Sequence, residues 1–122
     1  YVQYAHARAC SVLRQQKAPT NANLELLVSE PELALIKHLS SWPKFVEAAA
    51  LAHEPHRIAF YLLDLAGYFH SLWNAGRENP ALRFIIENDP VITQARLMLV
   101  EATSIVIRIG LNMLSIEALE EM

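Results

Sequence analysis

The chain has 122 residues, of which 53% are apolar and 19% are charged, and its formal net charge is −3. This length supports one domain, residues 1–122, with a core that needs neither disulfides nor metal ions for ordinary stability. Because the chain holds only three glycines, one cysteine and no uninterrupted apolar stretch of ~20 residues, its composition argues against turn-rich β structure, a disulfide scaffold and a membrane span.

The first predicted element is a helix from Val2 to Gln16, which ends at the turn of residues 17–21. At about 100° per residue, Tyr4 lies between Arg8 and Arg14 on one side of this helix, and the apolar residues lie on the other. The helix and its turn carry three cations and no acidic residue, so positive charge is concentrated here in an acidic chain. A ring between two arginines suits unpaired RNA bases, which stack on aromatic and guanidinium planes. The same spacing also fits a tyrosine packed on a neighbouring helix beside two solvated arginines.

Three further helices follow in chain order. Ser29 and Glu32 fit a capping box, in which the serine hydroxyl accepts from the first-turn amides and the glutamate returns a bond, so we expect a helix from there to about Leu39. Prolines in the first turn open the next two helices, predicted at residues 41–53 and 55–76. The second of these has a core stripe of coiled-coil spacing, formed by Ile58, Tyr61, Leu62, Leu65, Phe69 and Leu72.

The final predicted helix begins at the cap Asp89-Pro90 and runs to about Asn112. Its apolar positions at helical spacing are Ile92, Ala95, Leu99, Ala102, Val106 and Ile109. Residues 76–89, between the last two helices, predict either one short helical turn or an extended loop. Since no segment has the alternation typical of a strand, the sequence predicts an all-α helical bundle.

The opening run Y-V-Q-Y-A-H-A-R resembles the start of the C-terminal domain of arginyl-tRNA synthetases, the DALR anticodon-binding domain. Further blocks are similar to the same family, in the family's order: EPELALIKHLSSWPKFVEAAA (30–50), EPHRIAFYLLDLAGYFHSLWN (54–74), TQARLMLVEA (93–102) and GLNMLSIEALEEM (110–122). The last block ends on methionine, as is usual in the family. The resemblance covers most of the chain and implies a helical bundle of the class I synthetase anticodon-binding type.

The resemblance implies a binding function without chemistry. The expected partners are the anticodon stem-loop of arginine tRNA and the catalytic domain of the same ligase, from which this chain would be a C-terminal piece. The helical start at Tyr1, without an initiator methionine, fits that expectation. We expect no enzyme activity, cofactor or metal in these residues, because isolated glycines cannot form a phosphate loop and the HIGH and KMSKS signatures are absent. ATP and Mg²⁺ would belong to the missing catalytic domain.

The compartment and assembly state are also predicted. Cys10 has no partner for an internal disulfide, and no signal-peptide pattern precedes it, so we expect a cytoplasmic protein. The longest apolar stretch, residues 97–109, is interrupted by two charged residues, and we expect no membrane partner. We further expect a monomer.

The resemblance assigns roles to particular residues on the first and fourth helices. Tyr4, Arg8 and Arg14 match positions on the family's anticodon-facing helix. Phe69 matches a position that can carry a base-stacking tyrosine; phenylalanine keeps the ring and loses the hydroxyl. Its spacing alone predicts a core residue. Trp73, four residues further on, is expected beside the same site or in the core.

Three more residues complete the predicted set. Arg77 fits either a phosphate contact or a solvated helix end. Arg96 matches the arginine of the D-A-L-R-like segment, and we expect it to tie the last helix to an acidic residue or a carbonyl. Met122 is expected to fold back near the anticodon pocket, although chain ends are usually disordered.

Two other functions fit parts of the sequence. One is the anticodon domain of a related synthetase, such as that for cysteine, although the opening run and the terminal block argue against it. The other is a helical module that binds protein through its leucine- and phenylalanine-rich faces, which the acidic charge balance favours slightly.

Overall fold

The structure, a computed structural model, describes residues 1–122 and contains five α-helices, two short 3-10 helices and no strand. The α-helices are α1 (Val2–Gln15), α2 (Glu30–Ser40), α3 (Trp42–Ala52), α4 (His56–Glu78) and α5 (Pro90–Met113), and the 3-10 helices are Leu24–Leu26 and Pro80–Leu82. The predicted all-α fold is confirmed, and each α-helix ends within two residues of its predicted end.

The α4 helix is the centre of the bundle, because it packs against each of the other four α-helices. The stripe predicted on it is confirmed as core, since its six residues are at most 3% exposed: Ile58, Tyr61, Leu62, Leu65, Phe69 and Leu72. Small residues of α1, including Ala5 and Ala9, lie fully buried against α4 and α5, which lets these helices approach closely.

The α5 helix buries more than the apolar positions that mark its helical spacing. Of those positions Ala102 and Ile109 are exposed, whereas the buried residues of α5 include six others: Thr93, Arg96, Leu97, Val100, Ser104 and Ile107. The reason is that α5 packs against α1, α2 and α4, so it buries a wider arc than one stripe. By length and composition α5 could cross a membrane, but half of its most apolar window is buried inside the fold, and the core helix of a globular protein passes the same test.

The capping box predicted at the start of α2 is wrong. The Ser29 hydroxyl donates to the Glu32 carboxylate at 2.8 Å and makes no bond to a first-turn amide. Glu32 is turned into the interior, where its Oε1 lies 3.1 Å from a guanidinium nitrogen of Arg96. The same guanidinium donates at 2.8 Å to the carbonyls of Ala81 and Arg83. Arg96 therefore joins α5 to α2 and to the 79–89 segment, which confirms its expected structural role.

Residues 79–89 combine the two alternatives that the sequence left open. Pro80–Leu82 forms one 3-10 turn, and the chain then runs without helix to the cap of α5. The predicted cap is confirmed, because the Asp89 carboxylate accepts from the Ile92 amide at 3.3 Å. Phe84 points inward from this segment and is only 8% exposed.

The glycines of α4 and α5 give a matched test of this packing. At Gly110 an added Cβ would lie 2.7 Å from a methyl of buried Leu62, whereas at Gly67 its nearest neighbour would be 3.8 Å away. Overpacking outweighs the gain in helix propensity, so we expect Gly110→Ala to lower the free energy of unfolding by on the order of 1 kcal/mol. Gly67→Ala should raise it by a similar amount. Urea unfolding of both variants measures this, and equal gains would mean that α4 and α5 are less tightly packed.

Candidate functional site

The C-terminal residues after α5 fold back along α1. The chain turns at Ser115, whose φ of 61° lies in the left-handed region. The Gln3 amide then holds two backbone groups, donating to the Glu117 carbonyl at 2.7 Å and accepting from the Leu119 amide at 2.8 Å. We call residues 114–122 the C-terminal tail.

Two more side chains of α1 hold this tail. A ring nitrogen of buried His6 lies 2.6 Å from the Leu119 carbonyl, so that nitrogen carries the proton and donates. The Arg14 guanidinium donates to the Glu120 carbonyl at 3.1 Å. These contacts place Met122 beside α1, where it is 73% exposed. The tail therefore folds back against α1, and the closeness of Met122 to an anticodon pocket stays a prediction.

Tail and helix together form a groove of about 350 Å³. We call it the α1 groove; its polar and aromatic lining is Tyr4, Arg8, Ser11, Arg14, Glu120 and Glu121. The predicted residues of α1 therefore lie together, and Met122 lies at the same groove. The tail brings two glutamates against the most basic part of the chain, so the groove has cations on one wall and carboxylates on the other.

The Arg8 guanidinium is packed between two aromatic rings. Its central carbon lies 4.4 Å from the centroid of the Tyr4 ring and 4.8 Å from that of the Trp73 ring. One of its nitrogens also lies 3.0 Å from the Nδ1 atom of His70, on α4. Arg8 is half-buried, while Tyr4 is 46% exposed. The cation thus lies over one face of the partly exposed Tyr4 ring, and the His70 ring lies tilted beside it at 5.9 Å between centroids.

The prediction that Phe69 stacks on a base is wrong for this structure. Its ring is 0% exposed and lies parallel to that of Phe84, with centroids 5.6 Å apart. Phe84 comes from the 79–89 segment and covers the face that a base would need. Phe69 is therefore a core residue that supports α4 beneath the site.

The family model of the DALR anticodon binding domain matches residues 2–122. The chain belongs to this family. The DALR domain is also 50%, 50% and 52% identical to arginine–tRNA ligases of Azorhizobium caulinodans, Anaplasma marginale and Novosphingobium aromaticivorans. All of the chain is covered in each case, but only 22–23% of the relative, so the chain spans less than a quarter of these relatives' length.

A solved structure shows the same fold. The DALR domain matches Thermus thermophilus arginyl-tRNA synthetase with a TM-score of 0.78 and 32% sequence identity, over 100% of this chain and 21% of that one. The match confirms the predicted bundle of the anticodon-binding type.

Trp73 and Arg77 lie on α4, outside the lining of the α1 groove. Trp73 is half-buried, and it lines a second depression of about 430 Å³ together with Gln15, Gly76, Arg77 and Arg83. Arg77 is exposed in the last turn of α4, and the structure gives it no hydrogen bond within the DALR domain. Its phosphate contact therefore stays a prediction.

Two groups near the groove have perturbed acidities. Burial lowers the pKa of His70, partly opposed by its hydrogen bond to the Tyr1 carbonyl, and the Arg8 charge lowers it further. Burial, followed by the Glu120 carboxylate, raises the pKa of the Cys10 thiol. The thiol is therefore mostly protonated at neutral pH, which fits a small packing residue and not a nucleophile.

The site was only partly predictable. Gln3, His6 and His70 were missed because each acts through a backbone group or through Arg8, and such contacts have no spacing pattern in the sequence. The signal that could have found His70 is its position on α4, one residue after buried Phe69 and three before Trp73. No group of three or more histidine, cysteine or acidic side chains lies close enough to hold a metal ion.

Proposed function

We propose that this DALR domain binds the anticodon stem-loop of arginine tRNA and positions that tRNA for aminoacylation by the catalytic domain of an arginine–tRNA ligase. The α1 groove is the observation that carries the proposal. It offers an aromatic ring open on one side, cations beside it and a chain end within reach, all on a domain of a known anticodon-binding family.

Tyr4 is the proposed stacking platform. Arg8 covers one face of its ring, so an unpaired base would stack on the other face, and stacking of this kind is worth about 1–3 kcal/mol per base. Arg14 lies at the groove. Its guanidinium has further donors for a ligand, because its hydrogen bond to the Glu120 carbonyl uses only one nitrogen. The Trp73 ring packs against the same Arg8 guanidinium. Arg77 is proposed to contact a phosphate.

The middle anticodon base is the proposed point of selection. Every arginine codon has G as its middle letter, so every arginine anticodon has C there. Cytosine presents an amino donor, whereas uracil presents a carbonyl at the same position. The acceptor-rich tail wall, with its carboxylates and backbone carbonyls, suits the cytosine amine.

Catalysis is proposed to lie outside these 122 residues. The chain spans only 22–23% of the ligases that it matches, and its isolated glycines give no cradle for nucleotide phosphates. ATP and Mg²⁺ would be held by the catalytic domain, and the DALR domain would contact that domain in the same chain. We place the protein in the cytoplasm and propose that it acts as a monomer without a membrane partner.

Fluorescence anisotropy with a labelled arginine anticodon stem-loop tests the function. Phosphate contacts release counterions, so log Kd should rise linearly with log salt concentration. A stem-loop with uracil as the middle anticodon base and a cysteine-tRNA stem-loop serve as comparators. Absence of binding, or binding that is independent of salt, would favour the protein-interaction module; equal binding of the cysteine stem-loop would remove the preference for arginine tRNA.

Two substitutions test the stacking platform. Tyr4→Ala should weaken stem-loop binding by about 1–3 kcal/mol, while Tyr4→Phe, which keeps the ring, should bind nearly as the parent does. Tyr68→Ala removes another exposed tyrosine, on α4 and outside the α1 groove, and should leave affinity unchanged. Equal effects of the Tyr4→Ala and Tyr68→Ala substitutions would place the bound base elsewhere.

A further inference from the structure

His70 has a defined protonation state in this fold. Its Nδ1 lies 3.0 Å from an Arg8 nitrogen, and its Nε2 lies 3.4 Å from the Tyr1 carbonyl oxygen. A guanidinium can only donate and a carbonyl can only accept. Nδ1 must therefore accept and Nε2 must carry the hydrogen, which is the neutral imidazole.

The imidazole makes the shorter of two hydrogen bonds that direct the Arg8 guanidinium. Contacts with the faces of Tyr4 and Trp73 fix the distance of the guanidinium from each ring but not its rotation. The bond to Nδ1 of His70, at 3.0 Å, and a longer one to the Tyr4 hydroxyl, at 3.5 Å, set that rotation. His70 is 8% exposed, so water competes weakly for the bond.

We propose that neutral His70 is a positioning residue of the α1 groove: by accepting from Arg8 it fixes the guanidinium against Tyr4 and so sets the plane on which the anticodon base stacks. This inference rests on the proposed function. His70 touches no base itself; it acts through Arg8.

A proton on Nδ1 would remove this arrangement. The groups that face the ring are the Arg8 guanidinium and Tyr4 phenol from α1 and the phenol ring and backbone carbonyl of Tyr1, and none of them is a carboxylate. An imidazolium would place a second cation and a second donor against Arg8. Because the pKa of His70 lies below its ordinary value of 6.5, the neutral form is present at neutral pH and is lost only as the pH falls through that lowered pKa.

Three substitutions of His70 separate the effects of its two hydrogen bonds, one with Arg8 and one with the Tyr1 carbonyl. An asparagine oxygen can take the place of Nδ1, so His70→Asn keeps an acceptor for Arg8, while His70→Leu removes both bonds. A glutamine amide reaches the Nε2 position instead, so His70→Gln keeps the contact with the Tyr1 carbonyl. We expect His70→Leu and His70→Gln to weaken stem-loop binding roughly tenfold and His70→Asn by no more than about twofold, as for loss of one bond to a charged group. The proposal would be overturned if His70→Gln bound the stem-loop more tightly than His70→Asn, or if all three variants bound it equally.

The pH dependence of stem-loop binding distinguishes positioning of Arg8 from a purely structural role of His70, which would not produce such a dependence. Relative to His70→Asn, the parent chain should lose affinity as the pH falls through the lowered pKa of His70, although acidification alone adds positive charge and favours RNA. Parallel profiles would also overturn the proposal.

Nuclear magnetic resonance of the free chain keeps the two proposals distinguishable. The imidazole nitrogen shifts should show hydrogen on Nε2, and the Trp73 indole resonance should move with the His70 titration, because Arg8 connects the two rings. If the stem-loop does not bind but these resonances titrate together, the proposed function fails while the positioning of Arg8 stands. If the Trp73 resonance does not shift during the His70 titration, the proposed positioning of Arg8 is wrong.

Discussion

Replacing Arg96 with methionine is expected to lower the free energy of unfolding by about 3–5 kcal/mol, because it leaves a charged carboxylate without its partner in the interior. The Arg96 and Glu32 side chains are only 6% and 1% exposed, so water cannot replace the lost contact. The carbonyls of Ala81 and Arg83 would lose their donors at the same time. A domain of this size has a total stability of only about 5–15 kcal/mol, so part of the population should unfold at physiological temperature.

The matched control is Arg108→Met, which removes an exposed arginine from the same helix. It should change stability by less than about 0.5 kcal/mol. Arg96→Lys keeps the positive charge and changes the geometry. A lysine ammonium cannot contact one carboxylate and two carbonyls together, as the planar guanidinium of arginine does. Urea unfolding followed by circular dichroism measures all three variants. Similar midpoints for Arg96→Met and Arg108→Met would show that the buried pair adds nothing to stability.

Helix boundaries could be predicted because their causes are local. Pro43 and Pro55 open helices, and Asp89 caps one, through bonds and clashes within four residues of sequence. The α4 stripe was also predictable, because α4 buries one face at helical spacing and leaves Asp64 and Tyr68 exposed on the other. Local chemistry therefore carries most of the secondary structure of this domain.

Where the predictions were wrong, a distant partner decided the outcome. The serine and glutamate at the start of α2 fit a capping box, but Arg96, 64 residues later, attracts the carboxylate into the core. Phe69 matched a stacking position by resemblance, yet Phe84 covers its ring from a segment without helical spacing. A bond between residues far apart in sequence leaves no periodic signal in either segment.

The α1 groove also has one part that could be predicted from the sequence and another that depends on distant partners. The face shared by Tyr4, Arg8 and Arg14 follows from the helical period, so it could be predicted from the sequence. The sequence did not show that Arg8 is held between two rings or that Arg14 holds the tail. Both arginines were expected to project freely towards RNA, but each is also part of the structure that shapes the groove.

Deleting Met122 is expected to reduce the preference for cytosine over uracil at the middle anticodon position by roughly tenfold, while stability changes little. The tail is held through residues 117–120 by Gln3, His6 and Arg14, and none of these bonds uses Met122. Met122 is 73% exposed at the α1 groove, and its thioether and backbone oxygen are free for a ligand. Its flexible side chain can fill an irregular gap beneath a base.

The competing expectation is a solvated tail whose acidic residues repel phosphate, and two variants separate the possibilities. If repulsion dominates, Glu121→Gln should tighten binding of the cytosine and uracil stem-loops equally, because it removes a negative charge without reading the base, and deletion of Met122 should leave their ratio unchanged. If the chain end reads the base, Glu121→Gln should keep the ratio of the two affinities and the deletion should lower it. An unchanged ratio after deletion would assign Met122 to solvent, because that variant lacks the residue proposed to distinguish the cytosine amine from the uracil carbonyl.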